Sequence, residues 1–163
     1  MTEQTHGRRT ENLRLLLTES AAQAMRAHAE ETYPYECCGL LVGELDADGT
    51  RRIRTAYRAR NLNTERARDR FQLDPQDWLR IDQEAAAAGL AILGCYHSHP
   101  DHPPRPSRTD AEHAFPEFSY VILSVRQGRL AGFRSWRFFE SPDPAAQAIG
   151  LDGCFQEEEV GCF

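Results

Sequence analysis

The segment His97-Ser98-His99-Pro100, with Ser107 and Asp110 just downstream, gathers side chains that can do chemistry. In an extended segment, side chains at i and i+2 leave the same face, so both imidazoles can meet at one metal ion. Asp110 adds a carboxylate, making a His/His/Asp set suited to zinc with one tetrahedral position left for water, the pattern of a catalytic site. Hydrolysis at such a centre also needs a general base, and a carboxylate beside the activated water is the usual solution. Glu36 is the candidate, because it enters the apolar run Cys37-Cys38-Gly39-Leu40-Leu41-Val42-Gly43, where an acid needs a reason.

Each of these residues also has an ordinary structural use. A histidine at a strand end is commonly a satisfied surface group, and a glutamate at a helix-to-strand turn is commonly solvated. Ser107-Arg108-Thr109-Asp110 matches a helix start, with an N-cap hydroxyl and an acid three residues on. The combination favours the site: a same-face histidine pair, a proline-stiffened loop, and a helix N-terminus whose dipole keeps Asp110 ionised, as a ligand must be.

The elements that position these residues follow from the pattern of apolar side chains. Leu13 to Leu17 reads as a short strand, and Thr18 caps a helix to about Glu31 whose stripe is Ala21, Ala22, Met25 and Ala29. Cys38 to Leu45 reads as a buried strand, Asp46 to Gly49 as a turn, and Arg51 to Arg58 as its hairpin partner. Arg60 to Asp74 is a polar stretch broken only by Leu62, Phe71 and Leu73, a long surface connection of the kind that carries substrate contacts. Asp74 and Pro75 then start a helix to about Ala88, with Trp78, Ile81 and Ala85 facing inward.

Leu90 to Tyr96 is an apolar strand that delivers His97 and His99 at its C-terminal end, and the loop Pro100 to Pro106 leads to a short helix at Ser107. Phe118 to Val125 and Leu130 to Phe139 form a final hairpin about Gln127-Gly128. The order β-α-β-β-α-β-α-β-β predicts an α/β (α+β) fold with a mixed sheet, three-layered if the helices divide between its faces. Residues 1–11 read as a flexible arm, 12–140 as the catalytic domain, and 141–163, with the acidic run Glu157 to Glu159, as a tail of unassigned role.

Composition narrows the function classes. A chain of 163 residues buries one core and has no room for a second catalytic domain. A net charge of −6 with no long basic run carries no footprint for nucleic acid or an anionic membrane, which leaves a protein or peptide partner. All 19 basic side chains other than histidine are arginine, the mark of an arginine-favouring genome or of resistance to lysine modification. The N-terminus lacks the apolar core of a secretory signal, and no segment is long and apolar enough to span a bilayer. Five unevenly spaced cysteines (37, 38, 95, 154 and 162) are no disulfide framework, which fits a reducing cytoplasm. Cys38 shares a face with Glu36 and Cys95 with His97, so they are either small buried hydrophobes or a redox-sensitive pair. His102 and His113 read as surface groups or as partners that tune a ligand.

Taken together, these residues resemble the JAMM, or MPN-plus, metalloproteases. That family's pattern is Pro-x-Glu-x-Cys-Gly-Leu-Leu, then His-Ser/Thr-His-Pro, with a Ser seven positions after the Pro and an Asp three further on; Glu36, His97, His99, Ser107 and Asp110 match it. The resemblance implies a cytidine-deaminase-like, three-layer fold over about residues 13 to 140. It implies one Zn²⁺ per chain on His97, His99 and Asp110, with Glu36 moving the proton and Ser107 donating a hydrogen bond to the tetrahedral oxyanion. The implied reaction is hydrolysis of the peptide or isopeptide bond after the C-terminal Gly-Gly of a ubiquitin-like protein.

Only eight residues, Ala111 to Phe118, separate Asp110 from the next strand, which leaves no room for the second insertion that some eukaryotic relatives use to choose chain linkage. The compact layout is similar to prokaryotic members that act on ubiquitin-like sulfur-carrier proteins, and Arg60 to Asp74 is then the segment to grip the substrate tail, as an added strand. Two other readings are a non-catalytic scaffold of the same fold, which retention of every ligand opposes, and a zinc hydrolase of a small amide. Monomer and homodimer both remain open.

Overall fold

The computed structural model describes residues 13–139 and 155–163. The arm expected over residues 1–11 and residues 141–154 of the tail lie outside the described residues. The elements run β1 (Arg14–Leu17), α1 (Glu19–Thr32), β2 (Cys38–Leu45), β3 (Arg51–Ala59), α2 (Pro75–Ala87), β4 (Ala91–Pro100), α3 (Arg108–Glu112), β5 (Ser119–Arg126), β6 (Arg129–Phe138) and β7 (Phe155–Cys162).

Local chemistry sets the helix starts. Thr18 Oγ1 accepts the Ala21 N–H at 3.2 Å, and Asp74 Oδ1 accepts the Gln76 N–H at 2.9 Å with Pro75 in the first turn. Each cap satisfies an N–H that the helix itself leaves without a carbonyl. Ala21, Met25 and Ala29, spaced by four, form the buried face of α1, and Ile81 and Ala85 that of α2.

The strands lie in the order β1-β3-β2-β4-β5-β6-β7, and β7 returns to pair in parallel with β1. Parallel pairs (β1 with β3 and β7, β4 with β5) and antiparallel pairs make the sheet mixed. Helices α1 and α2 cover opposite faces: Ala21, Met25 and Ala29 pack with Leu41, Tyr96, Val121 and Leu123, whereas Ile81 and Ala85 pack with Leu40, Val42, Cys95 and Tyr120. This is the three-layer arrangement, and it explains why β2, β4 and β5 read as continuous apolar runs: both of their faces are buried. Burying a side chain such as Ile81 fully contributes about 1.5–3 kcal/mol.

Two features differ from the element order read in the sequence. The strand expected to end at Tyr96 continues through His97-Ser98-His99 to Pro100, because β5 pairs with it residue for residue, His97 opposite Ile122 and His99 opposite Ser124. The described end of the tail is a strand: Phe155 to Glu158 pair antiparallel with β6, and Glu159 to Cys162 pair with β1. Its inward Glu158 is neutralised by Arg137 of β6, Oε2 to Nη2 at 2.6 Å, with both side chains buried, and accepts a second bond from Ser135 Oγ at 3.0 Å.

Gly39 permits a close approach beside the site. A Cβ there would run into the Tyr96 ring and the Tyr57 carbonyl, so only glycine lets β2 lie this tightly against β3 and β4. The Gln127-Gly128 turn between β5 and β6 has φ of 52° and 75°, the left-handed pair of a two-residue hairpin.

Candidate active site

β4 brings His97 and His99 to the α2 face, two residues apart, with Nε2 atoms 3.1 Å from each other. Both side chains are buried. Cys38 pairs with His97 across β2 and β4, which places Glu36, two residues before Cys38, at the same end of the sheet. Glu36 is 5 % exposed, with Oε1 3.9 Å from His99 Nε2.

The proline loop is tied down on three sides. Trp136 Nε1 donates to Pro104 O at 3.0 Å, Ser124 Oγ donates to His102 O at 2.7 Å, and Asp101 N–H donates to Val125 O at 2.8 Å. The loop in turn sets His99, whose Nδ1 lies 2.9 Å from Pro103 O; a donated N–H there leaves the Nε2 lone pair facing Asp110. α3 then starts on a reciprocal cap in which Ser107 Oγ accepts the Asp110 N–H and Asp110 Oδ2 accepts the Ser107 N–H. That same carboxylate oxygen stands 3.2 Å from His97 Nε2 and 3.3 Å from His99 Nε2.

Three donor atoms thus form a triangle with sides of 3.1, 3.2 and 3.3 Å. Ligands about 2.0–2.1 Å from a tetrahedral ion are about 3.3–3.4 Å apart, so the set fits a zinc-sized cation. Glu36 also lies within ligand range of both histidines. Glu36 stands 3.9 Å from His99 Nε2, further than the 3.3 Å of Asp110, so either carboxylate can complete a set with the two histidines. The site can hold a metal, and two imidazoles with a carboxylate are a donor set that zinc and other first-row divalent ions accept.

The electrostatics agree with these places. Burial raises the Glu36 carboxyl to about 8, with His99 opposing and Asp110 reinforcing the rise. Burial would raise Asp110 too, but His97 and His99 outweigh it and hold that carboxyl well below the ordinary carboxylate range. For His99, burial favours the neutral ring, yet the hydrogen bond and charge of Asp110 prevail and raise it. The two acids are therefore pushed apart, one ionised and one able to carry a proton near neutrality, which is how a site divides ligand from base. A cation held by the cluster would favour the deprotonated forms of His99 and Asp110 and would lower Glu36.

A cleft of about 560 Å³ opens from this cluster. One wall is the Arg60–Asp74 loop through Asn63, Phe71 and Leu73; the far end is apolar, with Trp78, Phe115 and Tyr120. The loop is held against the site: Glu36 N–H donates to Ala67 O at 2.6 Å, and Asn61 Nδ2 donates to Glu36 O at 3.3 Å.

All five residues singled out in the sequence come together here, Ser107 through its exchange of bonds with Asp110. His113 stands at the cleft wall and His102 is exposed outside it. Burial pushes the Cys38 thiol up to about 12 and raises Cys95 as well, so both are protonated buried groups rather than reactive thiolates. Asn61 had no signal in the sequence. Phe71, visible there only as an apolar break in a polar loop, stacks on His97 with ring centroids 4.6 Å apart.

Residues 18–139 match the family model described as prokaryotic homologs of the JAB domain. The chain belongs to this family. The prokaryotic JAB chain is 37 % identical over 122 residues to a desampylase from Haloferax volcanii, covering 72 % of this chain and 84 % of that one. It is 31 % identical over 147 residues to the CysO-cysteine peptidase of Mycobacterium tuberculosis, covering 90 % and 89 %. Among solved structures, a protein from Desulfitobacterium hafniense superposes with a TM-score of 0.74 at 30 % identity, over 91 % of this chain and 92 % of that one. A JAB1/MPN domain protein from Archaeoglobus fulgidus, at 15 % identity and a TM-score of 0.53 over 91 % and 96 %, shares the fold. The protein is thus a JAMM-type hydrolase, and the scaffold reading falls away. Among the described residues no helix is long and apolar enough to cross a membrane.

Proposed function

We propose that this JAB protein is a zinc-dependent peptidase or isopeptidase that hydrolyses the bond after the C-terminal Gly-Gly of a ubiquitin-like or sulfur-carrier protein. The observation that carries the reading is the buried Glu36 carboxylate beside the His97, His99 and Asp110 triangle, at one end of a cleft walled by a loop. Zinc, when bound by His97, His99 and Asp110, supplies a Lewis-acid centre that makes water nucleophilic near neutral pH.

Glu36 accepts the proton of the attacking water and returns it to the leaving amine. Burial serves this role, since a carboxyl raised toward neutrality is a competent acid as well as a base. Ser107 Oγ accepts the Asp110 N–H, which leaves its own proton to donate to the oxyanion of the tetrahedral intermediate. Asp110, held by the Ser107 N–H, keeps the ligand set in register.

The cleft supports this choice of substrate. Two glycines let a substrate backbone pass between the loop and α3, and the apolar end at Trp78, Phe115 and Tyr120 receives a side chain further up the tail. The loop lends backbone groups to that tail as a neighbouring strand would. The relatives named for desampylation and for CysO-cysteine cleavage support a ubiquitin-like partner.

Zinc-loaded protein incubated with ubiquitin-like and sulfur-carrier proteins bearing short C-terminal extensions tests the reading, with products weighed by mass spectrometry. Cleavage after Gly-Gly, and its loss by about 10²–10⁴-fold in Glu36→Gln at unchanged zinc content, is the expected result. A Glu36→Gln variant that cuts at the native rate overturns the assignment, and cleavage of small amides alone overturns the substrate class.

A further inference from the structure

A metal-bound histidine almost always donates its second ring nitrogen to an oxygen that fixes the ring. His99 does so through Pro103 O. His97 does not: its Nδ1 is buried and, among the described residues, has no hydrogen-bond partner. What lies against that ring instead is Phe71, stacked at 4.6 Å between centroids with 26° between planes.

Phe71 reaches across from a loop that would be a poor support if it moved independently. Its backbone is anchored by the Leu62 N–H, which donates to Gln72 O at 2.8 Å, and above all by one side chain. Asn61 Nδ2 donates to Arg70 O at 3.1 Å and Asn61 Oδ1 accepts the Gln72 N–H at 2.9 Å, so the backbone is gripped on both sides of Phe71. The same Nδ2 donates to Glu36 O at 3.3 Å, and the same Oδ1 accepts the Asn63 N–H at 3.0 Å. A single amide, with its donors and acceptors all engaged, thus joins the backbone carrying the general base to the aromatic ring that covers a metal ligand.

We infer that Phe71, clamped by Asn61, is the positioning residue of His97: the stacked ring replaces the absent hydrogen bond as the element that orients the imidazole toward the metal. The inference rests on the metal-site reading above. It gives the Arg60–Asp74 loop a second task beyond lining the cleft, so that exchanging this loop to alter substrate choice also loosens the metal.

Zinc affinity measured by competition with a chromogenic chelator tests this without reference to turnover. Phe71→Ala and Phe71→Leu are expected to weaken zinc about 10-fold or more, the effect of losing a group that orients a ligand, whereas Phe71→Tyr retains native affinity. Asn61→Ala weakens it in the same direction, and the double variant Asn61→Ala/Phe71→Ala is no weaker than Phe71→Ala alone, because the two act as a unit. Melting of each metal-free variant checks its fold, and in metal-free wild type the NMR resonances of the His97 ring protons are displaced upfield by the Phe71 ring and return in Phe71→Leu. Unchanged zinc affinity in a folded Phe71→Leu, with wild type binding one zinc, overturns the inference alone. A wild type that binds no zinc overturns the metal-site reading and the inference with it.

Discussion

Ser107 and Asp110 hold one another by two hydrogen bonds, the Ser107 N–H to Asp110 Oδ2 at 2.7 Å and the Asp110 N–H to Ser107 Oγ at 3.1 Å. A helix cap and the carboxylate proposed to bind the metal are therefore the same object. The start of α3 cannot be altered without moving Asp110, and the structural part of Ser107 can be separated by substitution from its proposed chemical part. Glycine is tolerated as an N-cap at a cost of a few tenths of a kcal/mol, whereas alanine costs about 1 kcal/mol. Ser107→Gly should keep most of the stability and Ser107→Ala lose more, while both lose about 10²–10³-fold in kcat from the missing oxyanion donor. Chemical denaturation beside turnover would show it; a Ser107→Gly variant with native kcat confines Ser107 to the cap.

Metal binding should stabilise the fold. A ligand present at 100 times its Kd adds about 2.7 kcal/mol to a protein that binds it only when folded. Thermal melts with zinc and with chelator should differ accordingly for the wild type, and the difference should vanish in His97→Ala, His99→Ala and Asp110→Ala. Glu36→Gln should keep it. A Glu36→Gln variant that loses the zinc increment would move Glu36 into the coordination set.

Much of this site is legible in the sequence because its geometry is local. His97 and His99 share a face by the two-residue period of a strand, and Ser107 with Asp110 is a three-residue helix-start pattern; both survive in any fold that makes those elements. The caps at Thr18 and Asp74 are local in the same sense. What the sequence hides is what depends on distant partners. The acidic Glu157 to Glu159 run looks like a solvated tail until Arg137 is seen to neutralise Glu158, and the buried positions of β7, Phe155 and Glu158, do not even alternate. Asn61 and Phe71 belong to a polar loop whose shape comes from hydrogen bonds to Glu36, Arg70 and Gln72, and no periodicity announces such bonds.

The Arg137 to Glu158 pair should be among the costliest polar contacts to break. With 1 % and 0 % side-chain exposure, loss of the cation leaves a buried carboxylate that still accepts from Ser135 Oγ but has lost its neutralising charge. Arg137→Met should destabilise by about 3–5 kcal/mol. Arg26→Met, which breaks the solvent-screened Arg26–Glu30 pair, should cost far less. Urea unfolding of the two variants makes the comparison, and equal midpoints would contradict it.

Stability should also fall in mild acid through His28. The ring Nδ1 shares a hydrogen bond with the Tyr96 hydroxyl at 2.8 Å, and burial, with Arg58 adding, lowers its pKa to about 4. Unfolded, it titrates near 6.5. Between these values the unfolded chain binds a proton that the folded chain refuses, so stability is complete above about pH 6.5 and declines toward pH 4. After allowing for the part of the ring that meets solvent, the loss is about 1–2 kcal/mol. His28→Gln should flatten the pH dependence of urea midpoints over this window, and an unchanged slope would assign the acid sensitivity elsewhere.

β1 sits between β3 and β7, with Leu15 opposite Arg51 on one side and Val160 on the other. A ribosome making this protein therefore releases β1 long before that strand can acquire its second neighbour. Until residues 155–162 emerge, the nascent chain carries two open sheet edges, at β1 and β6, of the kind that invite pairing with other chains. Closure joins strands far apart in the sequence, a pairing of high contact order that forms slowly. Synthesis of β7 is thus a checkpoint in biogenesis: a product that stops short of it leaves the sheet unsealed, even though every residue of the proposed catalytic centre has already been synthesised.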